Sequence, residues 1–426
     1  MTTALLTDRY ELTMLGSALR DGSFQRHCVF EVFARRLPDG RRYGVVAGTG
    51  RVLEAIEDFR FDTPTIEWLR SDGVIDDTTA GYLASFRFTG DVDGYPEGEL
   101  FFPQSPILTV SGSFAEAVVL ETLVLSILNH DAAVAAAAAR MVTAAAGRPI
   151  IEMGSRRTHE QAAISAARAA YLAGFASTSN LAASERFGVP TAGTAAHAFT
   201  LLHDDERAAF AAQIDALGPS TTLLVDTYDI THGIELAVAV AGPALGAVRI
   251  DSGDLGVLAR LAREQLDGLG ATGTRIVVSG DLDEFAIAAL AAAPVDTYGA
   301  GTAVVTGSGA PTAGLVYKLV EVDGRPVAKR SEHKASQGGR KTAVRAHKPT
   351  GTALEEIVVA GAAPELNDGE RVIQRPLMRG GERVPGLPTL DESREHLRAA
   401  TVTLPWDGLK LSRGEPAIPT RLVSLD

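Results

Sequence analysis

The sequence predicts an α/β protein whose core is a parallel β-sheet, either open or closed into a barrel. Between residues 150 and 298, short β-rich segments alternate with longer amphipathic segments rich in alanine and leucine. The alternation repeats roughly every 20–30 residues, as expected for parallel strands joined by right-handed crossovers. Small polar residues follow the predicted strands, where such barrels place their active-site loops.

The predicted elements follow one another along the chain as strand, loop and helix. Strands are predicted at 150–154, 221–225, 247–250, 275–278 and 295–298, and helices at 158–172, 230–241, 255–269 and 283–293. An alanine-rich run at 132–139 continues to residue 146 and predicts a buried or half-buried helix. Because its apolar part is short, we expect no membrane span.

Composition limits the functions that this chain can have. Its 426 residues, 46% of them hydrophobic, can bury a large core in two or three domains. The formal net charge of −13 argues against a nucleic-acid partner. Cys28 is the single cysteine, which excludes an intrachain disulfide and is compatible with a reducing cytoplasm. The N-terminus carries early acidic residues and lacks the apolar core of a signal peptide.

The polar residues after the strands are candidates for a site. Many Ser, Thr and Asp residues at such positions cap the next helix, and capping accounts for about half of them. Capping does not explain Arg156, Arg157 or Arg249, because a guanidinium at a strand end needs an anion. That anion is either Asp251 in the chain itself or the carboxylate or phosphate of a substrate.

Phosphate and metal signals are present but short. The segment Gly299-Ala300-Gly301-Thr302 suits an anion, although an ordinary turn has the same residues. Val304 at the sixth position excludes a dinucleotide fingerprint, and no P-loop pattern occurs. The nine histidines lack zinc-site spacing. Carboxylates in these loops either bind Mg²⁺ together with substrate phosphates or act as helix caps and solvated charges; Asp251 and Asp281 are the candidate ligands, and Asp254 is expected to be a cap.

Two further features are open to more than one interpretation. His197 closes the segment Gly193-Thr194-Ala195-Ala196-His197 and either caps the following helix or takes part in chemistry at the predicted rim. A basic segment after the sheet forms either a solvated loop or a phosphate-guiding segment. Its residues are Lys318, Lys329, Arg330, Lys334, Arg340, Lys341, Arg345 and Lys348.

A series of motifs in this order resembles the nicotinate phosphoribosyltransferases over nearly the whole chain. The motifs are Leu6-Thr7-Asp8-Arg9-Tyr10, Phe30-Glu31-Val32-Phe33-Ala34-Arg35, Pro96-Glu97-Gly98-Glu99, Gly154-Ser155-Arg156-Arg157, Gly193-Thr194-Ala195-Ala196-His197, Val225-Asp226-Thr227-Tyr228-Asp229, Arg249-Ile250-Asp251-Ser252-Gly253-Asp254-Leu255, Gly299-Ala300-Gly301-Thr302 and Tyr317-Lys318-Leu319.

The resemblance implies a type II phosphoribosyltransferase fold, in which an irregular β/α barrel joins an α+β domain built from both chain ends. We expect the N-terminal part of that domain at 1–125, the barrel with its rim at 126–330, and the basic loop and C-terminal part at 331–426. The implied reaction converts nicotinate, phosphoribosyl pyrophosphate, ATP and water to nicotinate mononucleotide, pyrophosphate, ADP and phosphate, in NAD salvage. Mg²⁺, a cytoplasmic location and a homodimer with shared active sites are implied as well.

The resemblance also implies roles for individual residues. His197 matches the histidine that is transiently phosphorylated, since a neutral imidazole nitrogen can attack the γ-phosphoryl group of ATP. Arg249 matches the arginine that holds the nicotinate carboxylate, and Tyr10 matches a tyrosine that stacks on the pyridine from across the dimer. Met153 departs from the phenylalanine that relatives often carry, and a methionine stacks more softly. The other expected substrate-binding residues are Arg156, Arg157, Thr194, Asp226, Asp251, Ser252, Gly280, Gly301 and Thr302.

Two alternatives remain open at the level of sequence. A sibling enzyme that takes nicotinamide would need a carboxylate facing the amide, and one that takes quinolinate would need additional arginines. A barrel that binds a phosphorylated ligand without catalysis is the other alternative, and it has no use for the phosphate acceptor His197.

Overall fold

The computed structural model describes residues 2–329, 337–361 and 364–424. The chain divides into two compact units. The first combines Met1–Ala136 with Ala310–Asp426, and the second is Ala137–Gly309.

The α-helices of the described residues are α1 (Arg9–Asp21), α2 (Thr49–Glu57), α3 (Thr63–Ser71), α4 (Asp77–Leu83), α5 (Phe114–Val118), α6 (Glu121–Ala145), α7 (Glu160–Leu172), α8 (Leu181–Phe187), α9 (His197–Leu202), α10 (Glu206–Leu217), α11 (Ile230–Ala241), α12 (Leu255–Gly268), α13 (Glu284–Ala289), α14 (Thr302–Val305) and α15 (Leu390–Val402). Short 3-10 turns lie at Ala4–Leu6, Ser23–Gln25 and Trp406–Leu409.

The strands of the described residues are β1 (His27–Ala34), β2 (Gly44–Val45), β3 (Asp91–Gly94), β4 (Leu100–Phe101), β5 (Leu108–Ser113), β6 (Ile150–Glu152), β7 (Ser177–Thr178), β8 (Thr222–Leu224), β9 (Ala247–Ile250), β10 (Arg275–Ser279), β11 (Thr297–Ala300), β12 (Leu315–Val322), β13 (Arg325–Pro326), β14 (Lys341–His347), β15 (Ala353–Ala360), β16 (Glu370–Val372), β17 (Arg375–Arg379), β18 (Glu382–Arg383) and β19 (Thr420–Ser424).

The second unit contains the predicted parallel sheet. Its six strands are ordered β7-β6-β11-β10-β9-β8, and every neighbouring pair is parallel. Among the described residues no ladder joins β7 to β8, so the predicted barrel is present as a half-barrel sheet. An isolated parallel bridge from Thr178 to Thr191 continues it by one residue. In a parallel sheet the carboxyl ends of all strands meet at one edge, which we call the rim.

The predicted strand and helix positions in this unit are confirmed, with changes at their ends. Helix α11 and strand β9 have the predicted bounds. Helix α13 begins one residue late, because Asp283 is its N-cap and accepts hydrogen bonds from the amides of Phe285 and Ala286. Strand β11 begins at Thr297, where it pairs with Val277 of β10.

Helix caps account for four of the polar residues near the strand ends. Asn180, Asp229, Asp254 and Asp283 each accept a hydrogen bond from a backbone amide in the first turn of the next helix. The cap predicted at Asp254 is therefore confirmed. His197 does not cap a helix, because it is the first residue of α9 and the N-cap position belongs to Ala196.

Strands from both chain ends form one sheet in the first unit. Its order is β13-β12-β1-β5-β3-β17-β18, and its pairs are antiparallel. Phe30 of β1 stacks on Tyr317 of β12 with ring centroids 4.8 Å apart. The C-terminal part adds a four-stranded sheet, β16-β14-β15-β19. The described residues after 352 thus contribute β15, β16 and β19 to this sheet and β17 and β18 to the first.

Helix α6 is much longer than the alanine-rich run indicated. By length and composition, the helical segment Phe114–Ala145 could cross a membrane. However, 67% of its most apolar stretch is buried inside the protein. Buried core helices meet the same two criteria. The alanines therefore pack against protein, as their small size allows.

Several cations of the basic segment form ion pairs within the protein. Arg345 is only 1% exposed and pairs with Glu99 at 2.6 Å and with Glu356 at 2.5 Å. Lys341 pairs with buried Glu31 at 2.7 Å. Neither a solvated loop nor a phosphate-guiding role fits these two cations, so that prediction is wrong for them. Arg330 and Lys334 lie outside the described residues.

Glu99 is the centre of this charge cluster. One of its oxygens accepts from Arg345, and the other accepts from Arg371 at 2.8 Å and lies 3.1 Å from His396 Nε2. Burial raises the pKa of Glu99, but the hydrogen bond with His396 and the charges of Arg345 and Arg371 outweigh it and lower the pKa well below its usual range. Gly98 precedes it with φ +89°, and a side chain there would collide with the carbonyl oxygen of Ser393 in α15.

We predict that Glu99→Gln lowers the free energy of unfolding by about 3–5 kcal/mol at neutral pH, because buried Arg345 loses one of its two anionic partners. Since the pKa of Glu99 is lowered by folding, its contribution is present above the unfolded value of about 4.3 and is lost as pH falls. The difference between wild type and variant therefore narrows in acid. Urea denaturation across pH measures both effects.

The matched control is Glu395→Gln, which makes the same chemical change in a solvent-exposed ion pair on α15. It should leave stability essentially unchanged. Equal losses from the two variants would contradict the assigned role of Glu99.

Candidate functional site

A hydrogen-bonded group of side chains joins the ends of β8, β9 and β10 at the rim. Asp226, just after β8, accepts at Oδ2 from the backbone amide of Asp251 at 2.8 Å and from the Ser252 hydroxyl at 2.9 Å. The loops after β8 and β9 are therefore fixed to each other. We call Asp226, Arg249, Asp251, Ser252 and Ser279 the rim network.

Arg249 and Asp251 form the ion pair that the sequence allowed. Arg249 Nη2 donates to Asp251 Oδ1 at 3.0 Å, and Arg249 Nε donates to Ser279 Oγ at 2.8 Å. The Ser279 hydroxyl in turn donates to Asp251 Oδ1. Burial raises the pKa of Asp251, but hydrogen bonds from Ser279 and Arg249, together with the positive charge of Arg249, leave the pKa lowered. Asp251 is thus an anion at neutral pH.

This arrangement leaves ligand-binding groups available. Among the described residues, no partner contacts Arg249 Nη1 or Asp251 Oδ2. The free guanidinium nitrogen can donate to a carboxylate, and the free carboxylate oxygen can accept from a hydroxyl. A cation and an anion are therefore presented side by side.

His197 faces the same loops with both of its ring nitrogens. Nδ1 lies 3.1 Å from Thr227 Oγ1, and Nε2 lies 3.9 Å from Asp226 Oδ1. The Asp226 side chain is 1% exposed, and its Oδ1 is buried without a hydrogen-bond partner in the described structure. The imidazole is 41% exposed, so a ligand can reach it while a carboxylate lies behind it.

The buried carboxylate of Glu152 fixes the loop after β6 by hydrogen bonds. Glu152 accepts from the amide of Gly154 and from the hydroxyl of Thr178 on β7, and burial raises its pKa. Arg156 and Arg157 follow in this loop and are exposed, and their side chains have no hydrogen-bond or ion-pair partner among the described residues. These guanidinium groups can bind an anion.

Met153 lies beside the strand ends rather than in a core. A Cβ added to Gly299 would come within 2.9 Å of Met153 Sδ, so the thioether covers that glycine. The close contact shows why Gly299 lacks a side chain. A flexible methionine therefore forms part of the surface next to the rim network.

Glycines shape two further loops at the rim. Gly280 has φ +112°, and a side chain there would collide with the carbonyl oxygen of Asp251. Asp281 follows with a positive φ of 43° and is exposed. Gly301 precedes the four-residue helix α14, which begins with exposed Thr302.

The structure brings together most, but not all, of the predicted site residues. Asp226, Arg249, Asp251, Ser252 and His197 are linked by the contacts above. Thr194 is exposed and without a side-chain partner in the described part of the chain. Tyr10 belongs to the first unit, on α1, where burial and the carboxylates of Glu121 and Glu11 raise its pKa to about 12.

Sequence reasoning missed Ser279, Thr227 and Glu152. The first two are hydroxyl residues at strand ends, which were indistinguishable from helix caps. Glu152 stood inside a predicted strand, where a charged residue among apolar neighbours was the available signal.

The described residues contain no group of three or more His, Cys, Asp or Glu side chains arranged to hold a metal ion. Asp251 and Asp281 therefore do not form a protein-made metal cage. Their oxygen chemistry fits Mg²⁺ only as an ion that keeps its waters and is held mainly by phosphates.

Comparison with known proteins identifies the relatives of this chain. A model of the nicotinate phosphoribosyltransferase (NAPRTase) N-terminal domain matches residues 5–129. The chain is 65% identical over 428 residues to nicotinate phosphoribosyltransferase pncB1 of Mycobacterium tuberculosis, covering 98% of this chain and 95% of that protein. It is 36% identical over 384 residues to nicotinate phosphoribosyltransferase of Bacillus subtilis, covering 87% and 78%.

Solved structures show the same fold. Human nicotinic acid phosphoribosyltransferase superposes with a TM-score of 0.84 at 27% identity, covering 98% of this chain and 97% of that one. Nicotinate-nucleotide pyrophosphorylase from Pyrococcus furiosus superposes with a TM-score of 0.78 at 26% identity, covering 93% and 94%. With such identity to curated relatives over nearly all of its length, the chain belongs to the nicotinate phosphoribosyltransferase family.

Proposed function

We propose that the rim of the half-barrel is the active site, at which nicotinate and phosphoribosyl pyrophosphate give nicotinate mononucleotide and pyrophosphate. The family makes the chain an enzyme of NAD salvage, a nicotinate phosphoribosyltransferase. The observation that carries the placement is Arg249, which presents an unpartnered Nη1 beside the unpartnered Oδ2 of Asp251.

Arg249 binds the carboxylate of nicotinate in this proposal. Its guanidinium is mostly buried, with 16% of the side chain exposed, and two of its nitrogens are held by the rim network. A charge-assisted hydrogen bond to an oriented guanidinium is about twice as strong as a neutral one. The single arginine in this network suits one carboxylate, whereas quinolinate carries two.

The glycosyl transfer then joins the pyridine nitrogen to the ribose. The nitrogen lone pair forms a bond to C1 of the ribose while the bond from C1 to the pyrophosphate oxygen breaks, and that oxygen keeps the electron pair. Positive charge develops on the ribose in this step. The Asp251 carboxylate lies where it can accept from a ribose hydroxyl and stabilise that charge, and Arg156, Arg157, Gly280, Gly301 and Thr302 are proposed for the phosphates.

His197 couples the reaction to ATP in this proposal. A neutral ring nitrogen attacks the γ-phosphorus, the bond to the ADP oxygen breaks, and water later cleaves the phosphorus–nitrogen bond to release phosphate. Thr227 and Asp226 are proposed to orient the ring, because they face its two nitrogens. The buried Oδ1 of Asp226 supplies the negative charge behind the ring.

Mg²⁺ bound to the phosphates would neutralise charge on the leaving pyrophosphate. Asp251 and Asp281 are the proposed protein ligands, through their exposed oxygens.

We further propose the complete type II domain arrangement, a cytoplasmic homodimer, and a Tyr10 that stacks on the pyridine of the partner's site.

We predict that His197→Ala abolishes ATP hydrolysis and its coupling while a slow transfer to nicotinate remains. Without an imidazole, no phosphorus–nitrogen bond can form. Incubation with γ-labelled ATP should label the wild type with an acid-labile phosphate and leave the variant unlabelled. His232→Ala, which removes an exposed histidine of α11, is the control and should keep the label. Labelling of the His197 variant would refute the phosphohistidine.

We predict that Arg249→Ala weakens nicotinate binding by about 2–4 kcal/mol, because a hydrogen-bonded charge pair is lost. Steady-state kinetics with nicotinate, nicotinamide and quinolinate measure the change. The loss should be confined to pyridines that carry a carboxylate. An unchanged KM for nicotinate would place its carboxylate elsewhere.

A further inference from the structure

Ser279 connects the cation and the anion of the rim network. It is the last residue of β10 and only 3% exposed. Its hydroxyl accepts from Arg249 Nε at 2.8 Å and donates to Asp251 Oδ1, which also accepts from Arg249 Nη2 at 3.0 Å. The three side chains therefore form a closed triangle of hydrogen bonds. The one proton of the Ser279 hydroxyl is donated to Asp251.

The strand register places Ser279 where this bridge is possible. Arg249 of β9 pairs directly with Val277 of β10. Side chains alternate along a strand, so Ser279 lies on the same face as Val277 and diagonally opposite Arg249. The contact between Ser279 and Arg249 is thus built into the sheet, and Asp251 joins it from the loop directly after β9.

Without the hydroxyl, Arg249 and Asp251 would be free to form a closer pair. Arginine and carboxylate groups prefer a two-point contact, with two parallel N–H donors on two oxygens. Here Ser279 occupies Nε and so blocks the two-point contact through Nε and Nη2, and a single direct contact joins the two charged groups. In this geometry Arg249 Nη1 and Asp251 Oδ2 have no hydrogen-bond partner in the part of the chain that the structure describes.

We propose that Ser279 is a positioning residue that keeps Arg249 from closing onto Asp251 and so holds the guanidinium ready for the carboxylate of nicotinate. The proposal rests on the proposed assignment of Arg249 to that carboxylate. It also makes Ser279 a determinant of specificity. If Arg249 closes onto Asp251, binding of anionic nicotinate weakens more than binding of neutral nicotinamide.

The test begins with Ser279→Ala, which removes the hydroxyl and adds no volume. We expect the KM for nicotinate to rise about 10- to 100-fold, as for a lost hydrogen bond to a charged group, with a much smaller change in kcat. The inhibition constant of nicotinamide, used as a competing ligand, should change little. Ser279→Thr keeps a hydroxyl and should restore much of the affinity for nicotinate.

Thr274→Val is the matched control. Thr274 is buried just before the opposite end of the same strand, where its hydroxyl donates to the carbonyl oxygen of Leu245 at 2.8 Å. Its loss should lower stability without raising the KM for nicotinate. A merely structural role of Ser279 predicts the same pattern for both variants, and that pattern would overturn the proposal.

A double-mutant cycle separates this proposal from the assignment on which it depends. If Ser279 acts through Arg249, adding Ser279→Ala to Arg249→Lys should raise the KM for nicotinate no further. An equal increase in both backgrounds would overturn the role of Ser279 alone. An Arg249→Lys enzyme with an unchanged KM for nicotinate would overturn the assignment of Arg249, and with it this role of Ser279.

Discussion

Asp251 ties the ends of three neighbouring strands into one site. Its backbone amide donates to Asp226 after β8, its carboxylate pairs with Arg249 on β9, and the same oxygen accepts from Ser279 on β10. Its carbonyl oxygen leaves no room for a side chain at Gly280. Each of these contacts requires parallel strands in adjacent positions, so the chemistry depends on the order of the sheet.

The sequence pattern predicted the local structure of this sheet well, because parallel strands are continuous apolar segments between helices. It could not predict ion pairs that join distant residues. Lys341 and Arg345 were interpreted as part of a basic surface because their partners Glu31 and Glu99 lie far away in the chain. The length of α6 was also underestimated, since its first half contains polar residues and lacks the alanine run.

The sequence predicted those parts of the candidate site in which a charged side chain requires a partner of opposite charge. Arg249 at a strand end required an anion, and the structure supplies Asp251. Hydroxyl residues carried no such signal, because helix capping explains them equally well until the contacts of Ser279 and Thr227 are known. His197 could have been a cap from its position alone. The first residue of α9 faces Thr227 and Asp226 instead, which only the tertiary structure shows.

A structure of the protein with nicotinate mononucleotide bound shows directly whether the rim network receives the pyridine carboxylate. The quantity to measure is the distance between the carboxylate oxygens and the guanidinium nitrogens of Arg249. We expect a hydrogen-bond distance to Nη1, with Ser279 still bridging Arg249 and Asp251. A carboxylate bound away from Arg249, or an Arg249 closed onto both oxygens of Asp251, would contradict it.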